Sequence, residues 1–477
     1  MHRSSKNWGL RPGRRISALL LVLMLTTLWG LGPAFAADQV LGVREKLPND
    51  LVWLFSQQTG LPLVTLHLIV KAGTLQEPKG KEGLANLTAS LLLSGTKSRS
   101  ATQIAQQLDF LGAHLNAGGG DDFATVSLTV LKKDLGPGLE LFKDVLLNPT
   151  FAQDEVKRKV AQYKAALESE KDEPMTVASR TFAKDLYGDF PYGHPVLGTP
   201  EGLNAITPQD LAEFHRTYFR PNNAILAVVG DLTQDEARQW VTKTLGSWTA
   251  APIPPLKLPP IPPLKQRKVV VIDKDISQAN IILGTLGIKR QNPDFYGLQV
   301  MNYILGGGGF SSHLMEDIRE KRGLAYSVGS SFSPGLEPGP FTVSLETKNS
   351  SATEAIQQVV AQIKLMMTEP VKPQELEDAK SFFIGSFARS MDSLGKRAWI
   401  LTYVEAYGLG LDYPWKYPDL IRHLTPEDIR KVAEKYLHPN DYLLVIVGKK
   451  AAMPPLTFDA TGPKTEEKKD EEKQSGK

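Results

Sequence analysis

The chain has 477 residues, 42% hydrophobic, 22% charged and 8% aromatic, with no cysteine. That length exceeds a usual domain of roughly 100–200 residues, and the composition excludes a mostly disordered or collagen-like chain. The missing cysteine excludes disulfides, thiolate zinc sites, iron–sulfur clusters and a cysteine nucleophile. The formal charge of +3 resides in the first 36 residues, where Arg3, Lys6, Arg11, Arg14 and Arg15 meet no acid; the remainder holds 50 basic and 52 acidic residues, so nothing electrostatic points to nucleic acid.

Residues 1–36 read as a secretory signal, a basic start followed by an apolar run and then Pro33-Ala34-Phe35-Ala36. The small residues Ala34 and Ala36 favour cleavage near Ala37. The rival reading is an uncleaved anchor, since the run approaches the ~17–20 residues that span a bilayer. Arg14-Arg15 fits either twin-arginine export or a simple charged start, and no cysteine is present to take a lipid anchor. No later stretch is long and apolar enough to cross a membrane. The expectation is an exported, periplasmic protein without a stable membrane span after cleavage.

Beyond that segment, strands and helices alternate in blocks. Leu63–Lys71 and Ala124–Val130 alternate as half-buried strands, with Arg267–Asp273, Asn280–Leu286 and Phe341–Thr347 as counterparts. Helical stretches cover Glu82–Ser94, Ala101–Leu111, Leu135–Leu147, Asp154 to about Lys171, and Pro373–Tyr407; Asp172-Glu173-Pro174 ends the fourth, before a further helix to about Leu186. Residues 249–264 hold seven prolines in sixteen, a semi-rigid extended spacer. The tail ends in KTEEKKDEEKQSGK, with almost nothing to bury.

The two sides of the spacer repeat each other. Ile206-Thr-Pro-Gln-Asp-Leu through Gly230 overlies Leu424-Thr-Pro-Glu-Asp-Ile through Gly448 at a constant offset of 218, with Thr207, Pro208, Asp210, Tyr218, Pro221, Asn222, Leu226, Val229 and Gly230 identical in the second copy. Each copy reads as a capped helix, a Pro-Asn turn and a buried strand. The expected organisation is α+β: an N-terminal domain at 45–248, a linker at 249–266, a C-terminal domain at 267–450 and a disordered charged tail at 451–477. Each homologous half is a mainly antiparallel sheet packed with helices, the two joined as a clam-shell.

Glu82-Gly-Leu-Ala-Asn-Leu-Thr-Ala-Ser through Thr96, the duplicated halves, the Tyr218-to-Asp231 segment and Gly193-His-Pro-Val-Leu-Gly198 resemble the pitrilysin/insulinase-type zinc peptidases, which include the mitochondrial processing peptidase. The resemblance covers about residues 45–450. In active members the helix reads GLAHxxEH: two histidines one turn apart bind zinc and the glutamate is the general base. Here those positions hold Asn86, Ala89 and Ser90, and the family's third ligand, a glutamate, falls near Ala165 or Ala166. Glu168 and Glu170 lie nearby, but carboxylates without imidazoles read as a solvated face. The eight histidines include no pair three to five residues apart. No metal is therefore expected in this chain. A nucleophilic Ser90 or Ser94 lacks a G-x-S-x-G elbow. The runs Gly118–Asp122 and Gly306–Phe310 lack the lysine of a phosphate loop.

The segment Gly306 through Val328 resembles the family's other hallmark, an arginine and a tyrosine seven residues apart that hold the substrate backbone and stabilise the oxyanion. The matching residues are Arg319 and Tyr326. A guanidinium offers a charged planar fork of donors and a phenol a neutral one, which suits developing negative charge. The plain alternative is a basic last helical turn and an ordinary strand aromatic. For Gly306, Gly307, Gly308 and Gly309, peptide binding and a hinge remain equally open.

The resemblance implies a non-catalytic, substrate-binding and transition-state-stabilising subunit of a two-chain zinc metallopeptidase, forming a heterodimer with a homologous HxxEH-bearing subunit that carries the zinc and acting on peptides in the cell envelope. The alternative is a catalytically inactive structural or peptide-binding protein of the same fold.

Overall fold

The computed structural model describes residues 40–457 and a short strand at 466–468; the signal expected over 1–36 lies outside the described residues. The first half runs β1 (Val43–Lys46), β2 (Val52–Gln57), β3 (Leu63–Val70), α1 (Leu84–Ser90), α2 (Ala101–Leu111), β4 (His114–Gly119), β5 (Ala124–Leu131), α3 (Leu135–Leu147), α4 (Gln153–Glu170), α5 (Pro174–Tyr187), α6 (Pro200–Ala205), α7 (Pro208–Tyr218), β6 (Ala224–Gly230) and α8 (Gln234–Leu245). The second runs β7 (Lys268–Asp273), β8 (Gln278–Leu286), α9 (Phe295–Asn302), β9 (Ala325–Phe332), β10 (Pro340–Lys348), α10 (Ala352–Thr368), α11 (Pro373–Arg389), α12 (Leu394–Ala406), α13 (Tyr413–Arg422), α14 (Pro426–Tyr436), β11 (Leu443–Gly448) and β12 (Glu466–Lys468).

The strand orders are β1-β2-β6-β3-β5-β4 and β12-β7-β11-β8-β10-β9, so β2, β6, β3, β5 and β4 have positional equivalents β7, β11, β8, β10 and β9. Both sheets are mixed rather than simply antiparallel. The reason is topological: β6 inserts between β2 and β3, which run in opposite directions, so it pairs parallel with β2 and antiparallel with β3; β11 does the same between β7 and β8. The repeated segment forms α7 with β6 and α14 with β11. Thr207 and Thr425 cap their helices through reciprocal hydrogen bonds with Asp210 and Asp428.

The halves exchange helices. The apolar face of α5 (Ala178, Phe182, Leu186, Tyr187) packs on the second sheet against Val270, Ile272, Ile282, Leu443, Val445 and Val447. Its equivalent in the second half, α12, packs on the first sheet over β3 and β6, where Ala398 and Leu401 join the core containing Ile69, Ile225, Ala227 and Val229. Both faces of β6 and β11 are thereby covered, and every residue of each strand is buried. That is why the two strands read as continuous apolar runs instead of alternating.

The single helix expected over Pro373–Tyr407 is two helices. Ser393 accepts from the Lys396 N–H as a fresh N-cap, and the break at residues 390–393 frees α12 to cross to the other half. Polar contacts also join the halves. The buried Asp122 carboxylate accepts from the hydroxyls of Tyr192 and Tyr407 and from the Leu336 N–H at 2.9 Å. His67 Nδ1 lies 2.9 Å from Thr402 Oγ1, and Arg44 grips Glu405 with two nitrogens. In the tail, Thr353 donates to the Pro454 carbonyl, Gln357 to Thr457, and β12 pairs in parallel with β7.

Candidate functional site

Helix α1 is short and is capped at its start by Gly83, whose φ of 102° is left-handed. Its orphan N-terminal donors are met from outside: the Glu77 carboxylate accepts from the Gly83 and Ala85 N–H groups at 3.1 and 2.7 Å. Burial pushes Glu77 up to about 8, outweighing those two hydrogen bonds. His194 Nε2 lies 3.5 Å from Glu77, and burial holds this imidazole below its usual range. Burial thus disfavours the charged form of both groups.

Along α1, Asn86 and Ser90 stand one turn apart, with Ser90 Oγ donating to Asn86 Oδ1 at 3.3 Å. Asn86 Oδ1 also accepts from the Gly119 N–H at 3.0 Å, tying the helix to edge strand β4. The approach is close enough to require glycine, since a Cβ at Gly119 would lie 2.6 Å from the Asn86 Cα. From α4 the hydroxyl of Tyr163, a residue that sequence reasoning passed over, donates to Ser90 Oγ at 2.6 Å. Ala89 is fully buried in the core of the first half. The place of two imidazoles and a general base is thus taken by an amide, a hydroxyl and a methyl, and the phenol of Tyr163 closes the group. These groups satisfy one another, and none carries the charge or basicity that zinc requires. Glu168 and Glu170 are occupied in surface pairs with Lys171 and Arg180. Among the described residues no three His, Asp or Glu side chains gather into a metal-holding group.

In the second half, α9 runs on into a π-helical turn at Tyr303–Gly307, and Arg319 sits in a second one, Met315–Lys321. Such turns are rare and concentrate at functional sites. Tyr326 follows on β9, the edge of its sheet, and is 74% exposed. The Arg319 guanidinium carbon lies 5.3 Å from the Tyr326 ring centre and 4.9 Å from that of Phe310, itself 64% exposed. Three acids of this region are engaged elsewhere: Asp317 with Arg322, Glu316 with Lys321, and Glu375 with His313 and Lys372. Arg319 has no ion-pair partner among the described residues. Its donors and two exposed rings present a cationic, aromatic patch suited to a carbonyl or carboxylate of an extended peptide.

Phe310 is the member of this patch that sequence reasoning missed. A large aromatic directly after four glycines, with no apolar periodicity to bury it, was the available signal. Of the glycines, Gly306 is buried, and a Cβ there would meet Ser330 on β9 at 2.5 Å; Gly307 and Gly308 are similarly confined by Asn302 and Tyr303, whereas Gly309 is open. The structure therefore brings Asn86 and Ser90 together, and Arg319 with Tyr326. Among the described residues no hydrogen bond, ion pair or ring contact links the two sets.

Comparison with known proteins fits this two-part arrangement. Residues 54–200 match the family described as Insulinase (Peptidase family M16), and residues 205–383 match the Peptidase M16 inactive domain. An uncharacterized zinc protease of Mycobacterium leprae is 31% identical over 328 residues, 67% of this chain and 73% of the relative. Non-peptidase homolog YmxG of Helicobacter pylori is 28% identical over 436 residues, 90% of this chain and 98% of its own. The solved structure of a peptidase M16 inactive domain from Pseudomonas fluorescens superposes with a TM-score of 0.82 at 31% identity, covering 87% of this chain and all of that one. From the shared halves and these matches, the chain belongs to the M16 insulinase family.

Proposed function

We propose that the chain is the non-catalytic subunit of a two-chain zinc peptidase. It binds peptide through Arg319, Tyr326 and Phe310, while a homologous HxxEH-bearing partner supplies zinc and general base. The observation that carries the reading is asymmetry. The zinc-site positions are replaced and closed by the Tyr163–Ser90–Asn86 hydrogen bonds, whereas the Arg319 patch is exposed and unpaired. In the complex the guanidinium and phenol would donate to the oxygen of a peptide carbonyl as negative charge develops on it, and zinc held by the partner would supply the Lewis-acid chemistry. We place the complex in the periplasm after removal of the signal segment, with the two halves facing each other as a clam-shell around the peptide.

A second reading, an inactive peptide-binding protein, is favoured by the likeness to the Helicobacter relative, a non-peptidase homolog. Co-purification from the native envelope, followed by zinc-dependent cleavage of a quenched fluorescent peptide, separates them. Under the first reading a stoichiometric HxxEH chain accompanies the protein, and Arg319→Ala lowers kcat of the complex about a hundredfold, the cost of one oxyanion donor, without loss of assembly. A zinc-free homodimer or monomer, or unchanged turnover in Arg319→Ala, rejects it.

A further inference from the structure

The second half contains a cavity of about 370 Å³ walled by Arg290, Phe295, Asn302, Tyr303, Phe382 and Phe383. Three features set it apart from an ordinary packing gap. Arg290 is only 3% exposed, yet no carboxylate lies within ion-pair distance of it among the described residues. Its Nε donates to the Tyr403 hydroxyl and Nη2 to the Tyr413 hydroxyl at 3.0 Å, while Nη1 has no partner there. Its flat face rests 3.7 Å from the Phe295 ring centre. Burying a guanidinium with only neutral acceptors is costly, and an anion entering the cavity offsets that cost.

Secondly, Asn302 Oδ1 is buried and accepts no hydrogen bond, while its amide nitrogen donates to the Ser330 carbonyl at 3.2 Å. Both residues line this cavity, and an unmatched acceptor and an unmatched cation lining one cavity call for a ligand carrying an N–H next to its negative charge. Thirdly, the rim is aromatic and open: Phe382 is 44% exposed and stacks on Tyr303 at 4.5 Å between ring centres.

We propose that this cavity binds the carboxylate of an apolar, N-acylated amino-acid unit. The carboxylate lies on Arg290, the adjacent amide N–H on Asn302 Oδ1, and the side chain against Phe382, Phe383 and Tyr303. The volume suits one residue of this kind. Two sources share the chemistry, the C-terminal residue of a peptide and a free acylated amino acid. The inference is independent of the zinc-partner reading: none of Phe310, Arg319 and Tyr326 lines the cavity. An Arg290 that serves solely as aromatic packing is the competing account.

Calorimetric titration of the whole chain with acetyl-Ala-Ala-Ala-Phe, its C-terminal amide and N-acetylphenylalanine decides between them. The free acid binds at least tenfold tighter than the amide, reflecting a charge-assisted hydrogen bond. A tetrapeptide tighter than N-acetylphenylalanine assigns the site to peptide ends, and equal affinities assign it to the free acid. Phe382→Asp, on an exposed rim position and checked for folding by circular dichroism, loses the binding, as does Arg290→Gln where it folds. Equal affinity for acid and amide, no binding at millimolar ligand, or wild-type binding by Phe382→Asp overturns the proposal.

Discussion

The exchange of α5 and α12 makes a quantitative demand on the unfolding of this chain. Phe182 belongs by sequence to the first half but sits 3% exposed among strands of the second sheet, its ring so close over Gly284 that a Cβ there would lie 2.9 Å away. Phe182→Ala deletes that ring between rigid elements that cannot collapse into the space, so the loss falls in the upper part of the ~3–5 kcal/mol range for buried Phe-to-Ala changes. Because the ring bridges the halves, the loss is felt by both. The assay is urea unfolding followed by tryptophan fluorescence and by far-ultraviolet circular dichroism. Measured on a variant whose other tryptophans are replaced by phenylalanine, the fluorescence of Trp53, buried in the first core, reports a region that Phe182 does not touch. Coincident curves, displaced together to lower urea, are expected. Two separated transitions, a fluorescence midpoint left in place, or a loss below about 1 kcal/mol would refute the interlock.

Asp122→Ala leaves Tyr192, Tyr407 and the Leu336 N–H without their common acceptor; a loss of about 2–4 kcal/mol by urea unfolding is expected. Restoring the family motif with Asn86→His, Ala89→Glu and Ser90→His yields a destabilised chain instead of a zinc site, because residue 89 is wholly buried and a carboxylate there has no partner. The check is metal content after dialysis alongside the thermal midpoint. The folded state holds Glu77 at about 8 against 4.5 in the free side chain, so it binds the extra proton across that interval. Stability therefore falls as pH rises from about 4.5 to about 8, by up to ~1.4 kcal/mol per unit. Unfolding midpoints of wild type and Glu77→Gln measured across this range test it: the variant's profile is flatter if Glu77 is responsible and parallel to the wild type's if it is not.

Features encoded by local pattern were legible before the structure. The Thr-Pro-x-Asp cap, the Pro-Asn turn and the apolar strand needed only neighbours along the chain, and they appear as α7–β6 and α14–β11. The Arg319–Tyr326 spacing likewise survives as proximity, because a helical turn and the start of a strand separate them by a short path. Features decided by distant partners were not legible. The face of α5 containing Ala178, Phe182 and Leu186 announces that something covers it, but the pattern is the same for either sheet. The break at Ser393 was hidden inside a run with good helix propensity on both sides. Tyr163 looked like one more half-apolar helix position, and its bond to Ser90 depends on how α4 lies against α1. Arg290 gave no sign of burial, since arginine is ordinarily a surface residue.

The helix exchange also bears on the proline-rich strap. Since α5 and α12 occupy equivalent places in their halves and each lies on the other's sheet, the molecule has the architecture of a domain-swapped dimer whose two protomers have been fused end to end. In such an arrangement the fusion is not what keeps the protomers together. A protease nick within residues 249–264 would leave two fragments that still clasp one another, and the strap's service is to deliver the two arms to each other as the chain folds.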